Sequence, residues 1–236
     1  MSEGRRRDVI LANADLVRRN LVRACDRVGR DPAGVRIVAA AKTVEPEAIT
    51  WVRDAGIVDV GENYVRELRA KHDAVRGVVW HFIGTLQSGT AHHVAELANV
   101  VETAVPGRAL ARLGRRASRS ASGMPALLEV DFTGERSGVE PEAVPVAADA
   151  VAKAEGIRFV GLMTLPPIPT SAEDSRPYFR RLRELLDSIA ERHPEATELS
   201  MGMSLDYEVA VEEGATMIRI GTALFGLREP MDQGRT

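Results

Sequence analysis

The residue with the clearest chemical potential is a lysine that follows the first apolar segment of the chain. Residues 35–41 are mostly apolar, with Ile37 and Val38 at their centre, and Lys42 comes next. Such a run predicts a strand buried on both faces, as in a parallel sheet. A lysine at that strand end can extend its amine to solvent, or it can lose its proton and attack a carbonyl group to form a Schiff base.

Further polar residues follow or end other predicted strands, and the carboxyl ends of parallel strands meet at one edge of a sheet or barrel. Each has an ordinary alternative: Asn63 and Ser200 could cap helices, Asp131 could cap a turn, and His81, between Trp80 and Phe82, could be a structural histidine. Their convergence on one rim favours a functional site. The members are Lys42, Glu62, Asn63, His81, Glu102, Asp131, Met163, Ser200, Arg219 and Thr222.

Two glycine-containing segments could hold an anion. Residues 200–204 read Ser-Met-Gly-Met-Ser between a strand and a helix, and Gly221-Thr222 follows the last strand. Loops after the seventh and eighth strands of (β/α) barrels commonly bind phosphate through backbone N–H groups. Two ordinary loops with turn glycines are the alternative. A carbonyl compound that carries a phosphate would span Lys42 and these loops, which suits pyridoxal 5′-phosphate and also suits an aldolase substrate.

The predicted elements alternate along the chain. A helix over residues 8–29 precedes the Lys42 strand, and helices over 46–55, 62–75, 91–98, 108–118, 142–154, 171–192 and 205–213 separate strands at 57–60, 78–83, 100–101, 126–130, 157–163, 198–201 and 216–220. This alternation predicts a single α/β domain spanning residues 1–236, a (β/α)8 TIM-type barrel with an extra N-terminal helix and a core over about 8–226. A doubly wound open sheet is the alternative.

The composition is that of an ordinary globular protein. The 236 residues are 44% hydrophobic and 28% charged with a net charge of −3, which gives no indication of nucleic-acid or membrane binding. The lone cysteine, Cys25, excludes an intramolecular disulfide, and neither a signal peptide nor an apolar run of membrane length is visible. We therefore expect a cytoplasmic protein without a metal site, and we expect it to be a monomer.

The order of several short motifs resembles the pyridoxal phosphate homeostasis protein family, whose members are single-domain relatives of the N-terminal barrel of bacterial alanine racemase. The resemblance runs from about Asp8 to Gly226. It rests on Ala41-Lys42-Thr43, Gly61-Glu62-Asn63-Tyr64, Trp80-His81-Phe82-Ile83-Gly84, Leu86-Gln87-Ser88, Gly161-Leu162-Met163, Leu199-Ser200-Met201-Gly202-Met203-Ser204 and Arg219-Ile220-Gly221-Thr222-Ala223-Leu224-Phe225-Gly226.

The resemblance implies a role for each matching residue. Lys42 would hold pyridoxal phosphate (PLP) as a Schiff base, and Arg219 would face the pyridine nitrogen. The phosphate would be bound by Ser200, Gly202, Gly221 and Thr222, and the ring pocket would be lined by Asn63, His81 and Met163. No residue is predicted to be catalytic. Lys71 and Lys153 are the other candidate lysines, and both are predicted on solvated helix faces.

The function implied is that of a cofactor carrier and regulator of vitamin B6 and amino-acid pools without established turnover. Free amino acids and apo PLP enzymes would be its partners. A stand-alone PLP-dependent racemase and a cofactor-free Schiff-base aldolase are the alternatives. A racemase would need an opposing acid–base group, and the tyrosines, Tyr64, Tyr178 and Tyr207, all lie on predicted helices.

One segment departs from the family pattern. Residues 84–90 read Gly-Thr-Leu-Gln-Ser-Gly-Thr, whereas the family usually continues Gly-Pro-Leu-Gln with a serine or arginine, an asparagine and a lysine. The resemblance therefore does not extend to any role of this loop in delivering the cofactor or contacting a partner.

Overall fold

The computed structural model describes residues 2–118 and 122–226. Within these ranges eight parallel strands close into a barrel in chain order, with β1 hydrogen-bonded to both β2 and β8. This confirms the (β/α)8 barrel and excludes the open sheet. The strands are β1 (Arg36–Ala40), β2 (Asp59–Glu62), β3 (Val79–Phe82), β4 (Val100–Ala104), β5 (Met124–Val130), β6 (Ile157–Thr164), β7 (Glu198–Ser200) and β8 (Met217–Ile220).

Nine α-helices surround the barrel within the described residues. They are α1 (Glu3–Arg27), α2 (Pro46–Asp54), α3 (Val65–His72), α4 (Ala91–Leu97), α5 (Arg108–Ala117), α6 (Val144–Ala152), α7 (Arg176–Ile189), α8 (Tyr207–Glu212) and α9 (Thr222–Phe225). The predicted extra N-terminal helix is α1. Its buried stripe includes Ile10, Ala14, Val17 and Leu21, and it packs against α2, α8 and α9.

Apolar side chains form two layers. The larger one lies between the strands and the helices, and the smaller one fills the barrel interior with Val38, Val100, Leu127, Val160, Met163 and Met217. Because successive side chains of a strand point to opposite faces, the positions two residues beyond an inner-layer residue also face the interior. Arg219 follows Met217 in this way, and His81 follows Val79, which packs against the same inner cluster.

Several predicted boundaries were wrong. Strand β1 ends at Ala40, so Lys42 lies in a turn two residues beyond it. Strand β2 covers residues 59–62 rather than 57–60, because Gly61 continues the strand instead of breaking it. A Cβ on Gly61 would come within 2.8 Å of Ile83 Cδ1, so a larger residue there would require the Ile83 side chain to shift.

The helices differ from the prediction for related reasons. Helix α3 starts at Val65 rather than Glu62, since Glu62 still belongs to β2. The predicted helix 171–192 is divided: a 3-10 turn over Ala172–Ser175 precedes α7. Ser171 and Asp174 form a capping box on that turn, in which the Ser171 N–H donates to the Asp174 carboxylate at 2.8 Å.

Candidate functional site

A chain of buried polar side chains crosses the barrel interior, and His81 is at its centre. The ring of His81 is fully buried, with Nε2 2.9 Å from Asp59 Oδ1 and Nδ1 2.6 Å from Glu102 Oε1. Burial alone would lower the pKa of His81, but the hydrogen bonds to Asp59 and Glu102 raise it to about 9. At neutral pH His81 is therefore an imidazolium that donates from both ring nitrogens.

Glu102 connects His81 to the last two strands. The Ser200 hydroxyl donates to Glu102 Oε2 at 2.6 Å and accepts a hydrogen bond from the Arg219 guanidinium. Burial would raise the pKa of the fully buried Glu102, yet the hydrogen bond and charge of His81, with the charge of Arg219, hold it below its ordinary value. Glu102 is thus a buried carboxylate between two cations.

Arg219 lies inside the barrel rather than on the surface. It is 3% exposed, one terminal nitrogen donates to Ser200, and the other donates to the carbonyl oxygen of Thr164 at 2.7 Å. Burial lowers its pKa, and the Glu102 carboxylate opposes that effect. A guanidinium has only donors, so whatever faces Arg219 from the mouth meets a fixed positive donor. Arg219 is therefore not part of a surface salt bridge.

Lys42 lies at the rim above this chain. Its side chain is half-buried, and its Nζ lies 5.2 Å from the centroid of the Tyr64 ring. Tyr64 precedes α3 instead of lying on it and is 51% exposed, whereas Tyr178 and Tyr207 lie on α7 and α8 as predicted. Lys42 is therefore accessible from the carboxyl end of the barrel.

The predicted anion loops meet at this rim. Gly221 lies next to the end of β1, since a Cβ on it would be in ordinary van der Waals contact with the Ala40 carbonyl oxygen at 3.6 Å. Exposed Thr222 starts the short helix α9, and the Ala223 N–H donates to Ser204 Oγ at 3.1 Å, which joins the loops after β7 and β8. The pairing of Ala39 with Ile220 places these loops next to the loop of Lys42 in the closed barrel.

Gly202 is buried at the base of the same loops. Its φ of 90° suits glycine, and a Cβ there would come within 2.5 Å of Ala210 Cβ, so the loop packs directly on α8. Its carbonyl accepts the Arg219 N–H at 2.9 Å. Gly202 therefore fixes the loop against β8.

Ser200 and His81, predicted to contact the phosphate and the ring, form hydrogen bonds with other side chains of the protein instead. The Ser200 hydroxyl proton is committed to Glu102, so a phosphate contact through this hydroxyl would have to replace that bond. His81 is enclosed by two carboxylates and has no free ring nitrogen. Ser200 and His81 both lie beneath the mouth. Each fixes Glu102, and Ser200 also fixes Arg219.

The remaining predicted site residues divide between rim and interior. Asn63 is half-buried directly after β2, and Gly84 packs against its backbone so closely that a Cβ would lie 1.9 Å from the Asn63 oxygen. Met163 is fully buried in the inner layer and is aligned with Ser200 on β7. Asp131 caps a turn, accepting the Thr133 N–H at 2.9 Å, which confirms its ordinary alternative.

Three charged residues of this region were missed or misplaced by the sequence interpretation. Asp59 and Glu129 are acids inside predicted apolar strands, which is the signal that could have identified them. Glu129 is 3% exposed, and burial raises its pKa against the opposing charge of Arg136, whose Nε lies 3.5 Å away. Lys71 is not on a solvated face: it is 6% exposed and donates to the Ala41 carbonyl at 2.9 Å. Lys153 is exposed, as predicted.

This donor set fits a phosphorylated aldehyde such as PLP. An accessible primary amine, a buried guanidinium on the neighbouring strand, and glycine loops with hydroxyl groups occupy one end of the barrel. No group of three or more histidine, cysteine, aspartate or glutamate side chains within residues 2–118 and 122–226 could hold a metal ion. In the same part of the chain, no helix combines the length and hydrophobicity needed to span a membrane.

Fold and site together define a barrel of the alanine racemase N-terminal type, and the model of the family described as "Alanine racemase, N-terminal domain" matches residues 12–229. A pyridoxal phosphate homeostasis protein of Aquifex aeolicus is 38% identical over 88% of this chain and 93% of its own length. Another, from Pseudomonas aeruginosa, is 36% identical over 93% of this chain and 96% of its own length. The chain belongs to the pyridoxal phosphate homeostasis protein family.

A solved structure agrees with this assignment. PipY of Synechococcus elongatus, whose structure was determined with PLP bound, superimposes with a TM-score of 0.76 at 29% identity, and the match covers 88% of this chain and 100% of PipY.

Proposed function

We propose that this chain binds PLP through a Schiff base on Lys42 and serves in PLP and amino-acid homeostasis without appreciable turnover. The observation that carries the proposal is the placement of Lys42 at the barrel mouth, in the turn that follows β1. Strand β1 pairs with β8, which bears Arg219, and its last residue, Ala40, lies next to Gly221. When bound, PLP supplies an aldehyde that a lysine amine captures and an electron-withdrawing ring.

The residues of the chain have separate tasks in this proposal. Lys42 supplies the amine, while Gly202, Gly221 and Thr222, with Ser200 at the floor, form the phosphate end. Asn63 and Met163 line the ring pocket, and His81 supports it from below by fixing Glu102. Arg219 is held by Ser200 and by the Thr164 carbonyl, so it presents only donors toward the ring nitrogen.

The position of Arg219 limits the reactions that bound PLP could support. A ring nitrogen that faces a fixed guanidinium stays unprotonated, and an unprotonated pyridine is a weak electron sink. The site is therefore suited to retention and release of PLP more than to reactions at the α-carbon of an amino acid. We propose that the barrel acts as a single-domain cytoplasmic monomer, which exchanges PLP with free amino acids and apo PLP enzymes.

The test is to add PLP to the purified protein and follow the visible absorbance of the Schiff base. Borohydride reduction followed by peptide mass mapping should place the label on Lys42. A protein that stays colourless after addition of PLP would contradict the proposal and the racemase alternative together. An aldolase would instead form a reducible adduct with a phosphorylated sugar.

A further inference from the structure

The loop that carries Lys42 is held from both sides by helix α3. The carbonyl oxygen of Ala41, just before the lysine, accepts a hydrogen bond from Lys71 Nζ at 2.9 Å. The N–H of Thr43, just after it, donates to Glu67 Oε2 at 2.7 Å. Lys71 and Glu67 are themselves joined at 2.9 Å, so one ion pair on α3 connects the two backbone neighbours of Lys42.

The backbone at this point needs such support. Thr43 has a φ of 62° and is the one non-glycine residue with a positive φ in the part of the chain that the structure describes. A β-branched residue is unfavourable in the left-handed region and persists there only where surrounding contacts fix it. The bond to Glu67 is such a contact. Because Thr43 adjoins Lys42, the same bond fixes the direction in which the lysine leaves the loop.

Lys71 and Glu67 both use their charged groups to hold the loop of Lys42. Lys71 is almost fully buried, and its three donors go to Ala41, Glu67 and the fully buried Glu62, which leaves none for a ligand. Burial would raise the pKa of Glu67, but the hydrogen bonds from Lys71 and from the Thr43 N–H hold it below its ordinary value. Glu67 therefore remains a carboxylate acceptor.

We infer that Lys71 and Glu67 are positioning residues for Lys42: together they fix the backbone of residues 41–43 so that the lysine amine meets the aldehyde of PLP. The inference rests on the proposed function. In the step they assist, the Lys42 nitrogen bonds to the aldehyde carbon, and the aldehyde oxygen leaves as water with the two protons of the amine. Lys71 touches neither reactant and acts only through the loop.

The test separates binding of the ring and phosphate from capture of the aldehyde. Pyridoxine 5′-phosphate carries an alcohol in place of the aldehyde, so its affinity reports the pocket alone. For Lys71→Met and Glu67→Ala we expect that affinity to stay within twofold of wild type, while the rate of Schiff-base formation with PLP falls at least tenfold. Glu67→Gln keeps an acceptor oxygen for Thr43 and should recover most of the rate, to within about threefold of wild type.

The matched control is Glu96→Ala, which breaks the exposed ion pair of Glu96 with Arg116. That pair joins α4 to α5 over 2.6 Å and involves neither α3 nor residues 41–43. This variant should leave both measurements unchanged. Lys71→Met leaves buried Glu62 without its cation and can fail to fold. In that case Glu67→Ala decides, because the Glu67 side chain is 26% exposed and its loss removes no core packing.

Amide hydrogen exchange at Thr43 gives a second readout that needs no cofactor. Glu67→Ala should lower protection of this amide at least tenfold, with Glu67→Gln in between. Wild-type rates of aldehyde capture in both Lys71→Met and Glu67→Ala would overturn the inference, as would a parallel loss of pyridoxine 5′-phosphate affinity. A wild-type protein that binds pyridoxine 5′-phosphate but forms no Schiff base would instead overturn the proposed function. The assignment of Lys71 and Glu67 as positioning residues would then fall with it.

Discussion

Nδ1 of His81 lies 2.6 Å from Oε1 of Glu102, and both side chains are fully buried inside the barrel. The pair is separated by 21 positions in sequence and joins β3 to β4. Since Glu102 also accepts from Ser200, which in turn holds Arg219, the protonation state of His81 affects both the stability of the barrel and the group that faces the mouth.

The first prediction concerns stability against pH. Hydrogen bonds to Asp59 and Glu102 raise the pKa of His81 above its value of about 6.5 in the unfolded chain, to about 9. The stabilisation is therefore complete below pH 6.5 and is lost as pH rises through 9; its size is on the order of 3 kcal/mol. Urea unfolding of the wild type between pH 6 and 10 should show this decline, and His81→Gln should remove it. If the free energy of unfolding depended on pH in the same way in the two proteins, His81 would not be the charged group responsible.

The second prediction concerns attachment of the cofactor. Lys42→Ala should abolish the Schiff-base absorbance and leave the circular dichroism spectrum unchanged, because Lys42 lies in a half-buried turn and contributes little to the core. Lys153→Ala, at an exposed position after α6, is the control and should retain the absorbance. Colour that survives in Lys42→Ala would mean that another lysine carries the aldehyde.

The third prediction separates the two hydroxyl groups assigned to the phosphate. Thr222 is exposed at the start of α9, so Thr222→Ala should remove a charge-assisted hydrogen bond of about 1.5–3 kcal/mol and raise the Kd for PLP roughly ten- to hundredfold. Dialysis of the PLP-loaded protein measures how much PLP is retained. Equal unfolding midpoints of the variant and the wild type would show that the loss is not caused by a less stable fold. Retention equal to that of wild type would place the phosphate elsewhere.

Ser200→Ala should behave differently, and this is the fourth prediction. Its hydroxyl bridges Glu102 and Arg219, so removing it leaves two buried charged groups short of a partner and should cost about 1–3 kcal/mol of unfolding free energy. The affinity for inorganic phosphate should change less than in Thr222→Ala. The reverse order of effects would show that the Ser200 hydroxyl turns from Glu102 to the phosphate.

The fifth prediction concerns turnover. The loaded protein is incubated with L-alanine, D-alanine and L-serine in deuterated water, and α-proton exchange is followed by NMR. Because Arg219 would offer only donors to the ring nitrogen in the proposed site, we expect exchange far below about 1 per second, the lower end of ordinary enzyme rates. Exchange at or above that rate would favour the racemase alternative, with exposed Tyr64 beside Lys42 as the first residue to replace.

The barrel could be predicted because each strand and helix carries its own local pattern, and eight alternating units leave few ways to pack. The boundaries around Lys42 and Gly61 could not, because they depend on contacts with neighbouring strands. The local sequence predicts that Gly61 ends a strand, yet Gly61 lies within β2, with Ile83 packed against it.

The candidate site could be predicted only in part for the same reason. Lys42, Arg219 and the glycine loops lie at or just after strand ends, and the approximate position of a strand end is visible in the sequence. The partners of His81 and the burial of Lys71 depend on register between strands and on which face of α3 meets the sheet. Lys71 stands in a helix rich in charged residues, so its buried contacts with Ala41 and Glu62 have no local signal.

The pairing of β1 with β8 also constrains how the protein is made. The amine of the proposed site comes from the first strand and the anion loops come from the last two, so these parts meet only when the barrel closes. During synthesis the chain passes the ribosome from its N-terminus, and Lys42 emerges long before Gly221 and Thr222. A nascent chain that lacks β8 therefore has the lysine but neither Arg219 nor the Gly221-Thr222 loop. In the proposed site, retention of PLP would begin only when β8 has been translated and inserted, which would make cofactor loading a marker of barrel closure.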